Sequence, residues 1–199
     1  MNYLKNTHHA WKGDQYMKQH DYTCGYCNRH TSSNKGLSLY ENQASSSQVA
    51  NYGVYVCTYC KMPTFLWDGI QIPGSKYGNS VMGLSDRLSG LYEEARDSFS
   101  VNAYTAVILI CRKLLMHIAV DLGAEPGKRF IEYVNYLKDN NFVTTRSDKW
   151  VDSIRKSGNE SNHEVNIGTR EEAELMIKFS EMIIKTNFEY PALMEKTEE

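Results

Sequence analysis

The 199-residue chain has no long apolar run: its longest, Ala106 to Cys111, falls far short of the roughly 18 residues that a membrane-spanning helix needs. The N-terminus, Met1-Asn2-Tyr3-Leu4-Lys5-Asn6-Thr7-His8-His9, has no apolar stretch behind a basic start, so no secretory signal is expected and the protein is expected to be cytoplasmic, away from membranes. In that compartment cysteines stay reduced unless a metal takes them, which argues against disulfides for the five present. No internal repeat is visible, and no basic-faced helix suggests a DNA-reading element. Proline is scarce, with four residues, and three of them (Pro73, Pro126, Pro191) fall where regular structure is expected to stop. Net charge is only −2, which neither demands nor excludes nucleic acid. Its distribution is uneven: residues 1–80 carry seven Lys/Arg against four Asp/Glu, and residues 81–199 carry fifteen against twenty. Any general attraction for phosphate therefore belongs to the N-terminal part.

What the sequence does have divides it in two. The first part is rich in Tyr, Gly, Ser and Asn and lacks a helical period, whereas helix-forming patterns dominate from about residue 84. Pro73-Gly74-Ser75-Lys76-Tyr77-Gly78-Asn79-Ser80 reads as the junction. The expected class is α+β: a small β ribbon with an N-terminal arm over 1–78, a helical bundle over 79–190, and a flexible acidic tail over 191–199. Residues 48–56 and 64–67 are β-prone on either side of a cysteine pair, with Ser45-Ser46-Ser47 as a loop. Helices are expected near 84–99, 101–122, 128–140, 147–163 and 169–187. The second is apolar on almost every side and should be central. Thr169 with Glu172 forms a capping box at the start of the last.

Cys24-Gly-Tyr-Cys27 and Cys57-Thr-Tyr-Cys60 form two Cys-x-x-Cys pairs, separated by twenty-nine residues. Each pair offers two thiolates from one tight turn, and two facing turns complete a tetrahedron about 2.3 Å from a Zn²⁺ ion. Four thiolates close the coordination sphere, so the ion expected is structural, and a gap of that length accommodates a hairpin between the turns. A redox dithiol is the competing reading, but it lacks the accompanying βαβ pattern. His20 and His30, beside the first turn, are alternative ligands. Cys111, inside the apolar helix, reads as core. Around the pairs, Tyr22, Tyr26, Tyr52, Tyr55, Tyr59, Phe65 and Trp67 alternate with Lys18, Arg29, Lys35 and Lys61. Single-stranded nucleic acid uses such a mixture, and a ribbon also uses it to cover its metal.

In the helical part, Arg155 precedes Ser157-Gly158-Asn159-Glu160-Ser161-Asn162-His163-Glu164, and Tyr92-Glu93-Glu94-Ala95, Ala103-Tyr104-Thr105-Ala106-Val107 and Cys111-Arg112-Lys113-Leu114-Leu115 lie upstream. Over about residues 84–190 this resembles the bacterial domain-of-unknown-function family 4145, in which a leading zinc ribbon is a frequent companion. That family is similar to the HEPN superfamily of antiparallel helical bundles, many of whose members dimerise and serve prokaryotic conflict systems as RNases, toxins or accessory modules. The resemblance implies a HEPN-like bundle, a homodimer through it, and a setting in defence or counter-defence. Active HEPN nucleases place Arg, a polar residue and a later His on one helix. Here Asn159 and His163 match, while Gly158 stands where the Arg belongs. Arg155, Asn159 and His163 step by four, within an arc of about 80° on a continuous helix.

Two functions follow as expectations. The first is a non-catalytic binding or adaptor module that recognises a protein or nucleic-acid partner, with Asn159 and His163 closing a helix end. The second is a metal-independent ribonuclease in which His163 transfers protons and Arg155 stabilises the phosphorane, with Asn159 beside them. Elsewhere, Arg112 and Lys113 are expected at the bundle edge or paired with Glu93 or Glu94, His117 in the bundle, and Gly127-Lys128-Arg129 at a helix start.

Overall fold

The computed structural model describes residues 11–39, 52–144, 148–157 and 167–195. It divides into two compact units, Met1–Lys76 and Tyr77–Glu199.

The first unit is one antiparallel sheet: β1 (Gln15–Thr23), β2 (His30–Leu39), β3 (Tyr52–Val56), β4 (Pro63–Trp67) and β5 (Ile70–Ile72), in the order β1-β2-β3-β4-β5. The two cysteine pairs sit at equivalent places, one joining β1 to β2 and the other joining β3 to β4. The hairpin expected between them is the β2–β3 pair, in register from Gly36↔Tyr55 to Leu39↔Tyr52. Alternation along the strands sorts the side chains to two faces. Inward go Met17, Tyr22, Tyr55 and Leu66, which with Cys24 and Cys57 make the buried apolar cluster of this unit among the described residues, flanked by Tyr26, Cys27 and Cys60. Outward, the register aligns Leu37, Val54, Phe65 and Ile72 across four strands. Beside that row Leu39 faces Tyr52, and Trp67 faces Ile70.

The second unit holds α1 (Asp86–Ser100), α2 (Tyr104–Asp121), α3 (Phe130–Asp139), α4 (Asp148–Ser157), α5 (Arg170–Ile184), a π turn at Lys185–Glu189 and α6 (Tyr190–Glu195). As expected, α2 is central and packs against α1, α3 and α5, burying Val107, Cys111, Leu114, Leu115, Ile118 and Ala119. It is not enclosed all round, however, since Leu109 is exposed. Thr169 caps α5 as its sequence requires: its Oγ1 accepts from Glu172 N at 3.2 Å, and Glu172 Oε2 accepts from Thr169 N at 3.0 Å. Arg129 precedes α3 as a helix start, with Glu132 Oε2 accepting from its backbone N at 3.0 Å.

Two boundaries differ from those read in the sequence. Tyr77 and Gly78, placed there with the ribbon, belong to the helical unit because their carbonyls accept hydrogen bonds from Arg96. The expected tail over 191–199 is helical through Glu195, and the rest lies outside the described residues. Pro191 does not stop it: it stands in the first turn of α6, where its missing N–H is not needed, just after a π turn closed by Tyr190 N–H donating to Lys185 O. Strand β1 was not anticipated at all, and β2 only as one arm of the hairpin between the cysteine pairs. Among the described residues no helix is long and apolar enough to cross a membrane.

Candidate metal centre

Both cysteine turns are built alike. In the first, Cys24 N donates to Arg29 O at 3.0 Å and Asn28 N to Cys24 O at 2.8 Å. In the second, Cys57 N donates to Met62 O at 3.0 Å and Lys61 N to Cys57 O at 3.0 Å. The residue after each second cysteine takes a left-handed backbone, Asn28 at φ 55° and Lys61 at φ 60°. Asparagine tolerates that region; lysine favours it less, and here Lys61 is held at both ends. Its Nζ donates to Thr58 O at 2.7 Å, and its carbonyl accepts from Trp11 Nε1 at 2.8 Å. Gly25 has no room for a side chain, because a Cβ would collide with the Gly74 carbonyl oxygen. The chain leaving β5 thus backs the first turn.

The turns bring four sulfurs together. Cys24 Sγ lies 3.6 Å from Cys60 Sγ, Cys27 Sγ lies 3.8 Å from Cys57 Sγ, and all four lie within 4.8 Å of one another. A regular tetrahedron of sulfurs about 2.3 Å from a central ion has edges of about 3.8 Å, so the cage fits a tetrahedral thiolate-bound metal. Disulfides, with sulfurs about 2.05 Å apart, do not fit, and all four cysteines are free. Burial pushes the Cys24 and Cys60 thiols up from their ordinary range. Burial acts on Cys57 in the same sense, but hydrogen bonds from the Cys60 and Tyr59 backbone outweigh it and bring that thiol down. Gathering four thiols in a buried cluster is electrostatically unfavourable once they ionise, and a bound dication offsets that.

The turns also touch each other. Thr31 and Thr58 share a hydroxyl hydrogen bond of 2.6 Å, and the Arg29 guanidinium lies 5.3 Å from the centre of the Tyr59 ring. Neither alternative histidine joins the cage: His20 packs its ring against Tyr55 at 5.1 Å, and His30 is the exposed first residue of β2. Of the aromatic residues singled out in the sequence, Tyr22, Tyr26 and Tyr55 are spent on the core, while Tyr59 and Trp67 remain exposed. Cys111 is buried in the helical core, where burial raises its thiol to about 12.

The second candidate cluster falls largely outside the described residues. Arg155 lies on α4, which ends at Ser157; its side chain, Asn159 and His163 lie outside the described residues. Arg112 lies over the Phe130 ring at 4.8 Å. Glu93, considered as its partner, binds Arg96.

Arg96 is the residue the sequence reading missed. Only 1% exposed, it donates through Nε to Tyr77 O at 3.1 Å and through Nη2 to Gly78 O at 2.9 Å, with Ser80 Oγ at 3.4 Å from Nη1. The available signal was its place among Leu88, Tyr92 and Phe99, on the inward stripe of α1.

Fold and site together define an α+β protein in which a four-cysteine ribbon precedes a bundle of helices. The chain belongs to the family described as Domain of unknown function (DUF4145), whose family model matches residues 93–199. No curated protein matches the chain, and no solved structure does.

Proposed function

We propose that Cys24, Cys27, Cys57 and Cys60 hold one structural Zn²⁺ ion and that the chain is a non-catalytic binding or adaptor module, recognising a protein or nucleic-acid partner in the cytoplasm. The observation that carries this reading is the sulfur cage, because four cysteines fill a tetrahedral ion's coordination and leave no position for an activated water. When bound, such an ion supplies folding energy to the ribbon. The ribbon's own core is a handful of residues, as expected of a unit that depends on metal. Outside the core it presents Tyr59 beside Arg29 and Tyr16 beside Lys35, side chains suited to contact with a partner. Through the family resemblance we place the module in a prokaryotic or phage conflict system, with a HEPN-like helical unit.

Incubation of the purified chain with labelled RNA in EDTA tests the non-catalytic reading. The expected result is intact RNA. Sustained cleavage that disappears in a His163→Ala variant of unchanged helical content overturns it and favours the ribonuclease of Arg155, Asn159 and His163. Co-purification from a prokaryotic lysate tests recognition itself, which fails if neither protein nor nucleic acid is retained above background.

A further inference from the structure

The outer face of the ribbon sheet carries side chains that proteins ordinarily cover. Leu37 is 43% exposed, Leu39 47%, Trp67 47%, Ile70 46% and Ile72 57%, all on the two cross-strand rows described above. These five residues leave about 500 Å² of side-chain surface open, and Tyr16, paired with Lys35 at the margin, raises the total to roughly 700 Å². Single exposed leucines are ordinary. A contiguous apolar face of this size stands at the upper end of the range for the largest patch of a typical monomer, the patch that most often carries an interaction.

We propose that this face packs on the same face of a second copy, forming a two-fold dimer of ribbons, sheet on sheet. Area is the first argument: each side of a standard stable interface contributes about 800 Å², and the open face supplies more than half of that from its two apolar rows and most of it once Tyr16 is included. Charge is the second. None of the eight positions in the two rows is charged, so a copy meets its own image without like charges opposed. The same lack of cations leaves the centre of the face with nothing to neutralise a nucleic-acid backbone, which disfavours that occupant. Lys35 stands at the edge, 5.1 Å from the centre of the Tyr16 ring, and Asp68 lies in the turn between β4 and β5. Branched and aromatic side chains on a pleated surface interdigitate well between sheets about 10 Å apart. This dimer goes beyond the binding-module reading and stands in place of the pairing through the helical unit that the family resemblance implies.

Sedimentation of the full chain, purified with zinc, reads the outcome. The expected species has twice the 22.9 kDa chain mass at micromolar concentration. Ile72→Glu and Leu37→Glu should each raise the dissociation constant at least about a hundredfold, with metal content and helical circular dichroism unchanged. Trp67→Ala adds no charge and keeps the test valid if a glutamate variant misfolds; it should weaken the dimer about tenfold. A wild-type monomer at the highest soluble concentration overturns the proposal. So does a dimer that all three substitutions leave intact, an outcome that moves association to the helical unit and leaves the binding-module reading standing.

Discussion

Asn79 and Glu181, 102 residues apart in sequence, are joined by two hydrogen bonds: Asn79 Nδ2 donates to Glu181 Oε1 at 2.7 Å and Asn79 N to Oε2 at 3.2 Å. Lys185 Nζ also donates to Oε1, at 2.7 Å, and Tyr92 OH donates to the Asn79 carbonyl at 3.0 Å. With Arg96 holding the carbonyls of Tyr77 and Gly78, the segment entering the helical unit is fastened to α1 and α5 by buried charge. Tyr77 to Ser80, read in the sequence as part of a turn-rich junction, are therefore part of the bundle.

Glu181 gives this fastening a pH dependence. Burial alone would raise its carboxyl, but hydrogen bonds from Lys185 and Asn79 and the nearby Lys178 outweigh burial and hold it below the usual carboxylate range. A carboxyl depressed in the folded state contributes stability above its unfolded value, about pH 4.3, and loses it as pH falls through the lower folded value. Urea unfolding followed by helical circular dichroism should show wild type losing stability more steeply than Glu181→Gln below about pH 4.5. Parallel pH profiles for the two proteins would remove Glu181 from the account.

Arg96→Met keeps an unbranched side chain but leaves the Tyr77 and Gly78 carbonyls without their buried donor. The expected cost is about 2–4 kcal/mol in the helical unit, read as a lower urea midpoint at unchanged slope. A cost below about 0.5 kcal/mol would mean that the carbonyls find other partners.

Thr169→Ala removes one half of a reciprocal cap and should cost about 1 kcal/mol, while Thr169→Ser should retain most of it. Equal losses in the two variants would show that the hydroxyl bond is not what matters.

What the sequence revealed was local. A Cys-x-x-Cys turn is defined over four residues, a capping box over four, and the apolar period of α2 over its own length. Each could be read without knowing what lies opposite. The strands β1 and β2 could not, because Gln15–Thr23 and much of His30–Leu39 are polar. Their pairing across the Cys24–Cys27 turn makes them strands, where propensity alone does not. Arg96 was missed for the same reason: its charge is tolerable inside because the carbonyls of a distant segment meet it together with the Glu93 carboxylate. The β-prone character of β3 and β4 could be read, but not that their more apolar face points outward. That depends on where the sulfur cage sits.

The central claim is that the four cysteines bind one ion and that the ribbon depends on it. Metal analysis of the purified chain, followed by Co²⁺ exchange, tests this most directly. One equivalent of zinc per chain is expected, replaced by cobalt with the intense visible and thiolate charge-transfer bands of tetrahedral four-sulfur coordination. Both should be lost in Cys24→Ser/Cys60→Ser, with the helical signal retained. Less than about a tenth of an equivalent of metal in a folded ribbon, or an unchanged cobalt spectrum in the double variant, would contradict the account.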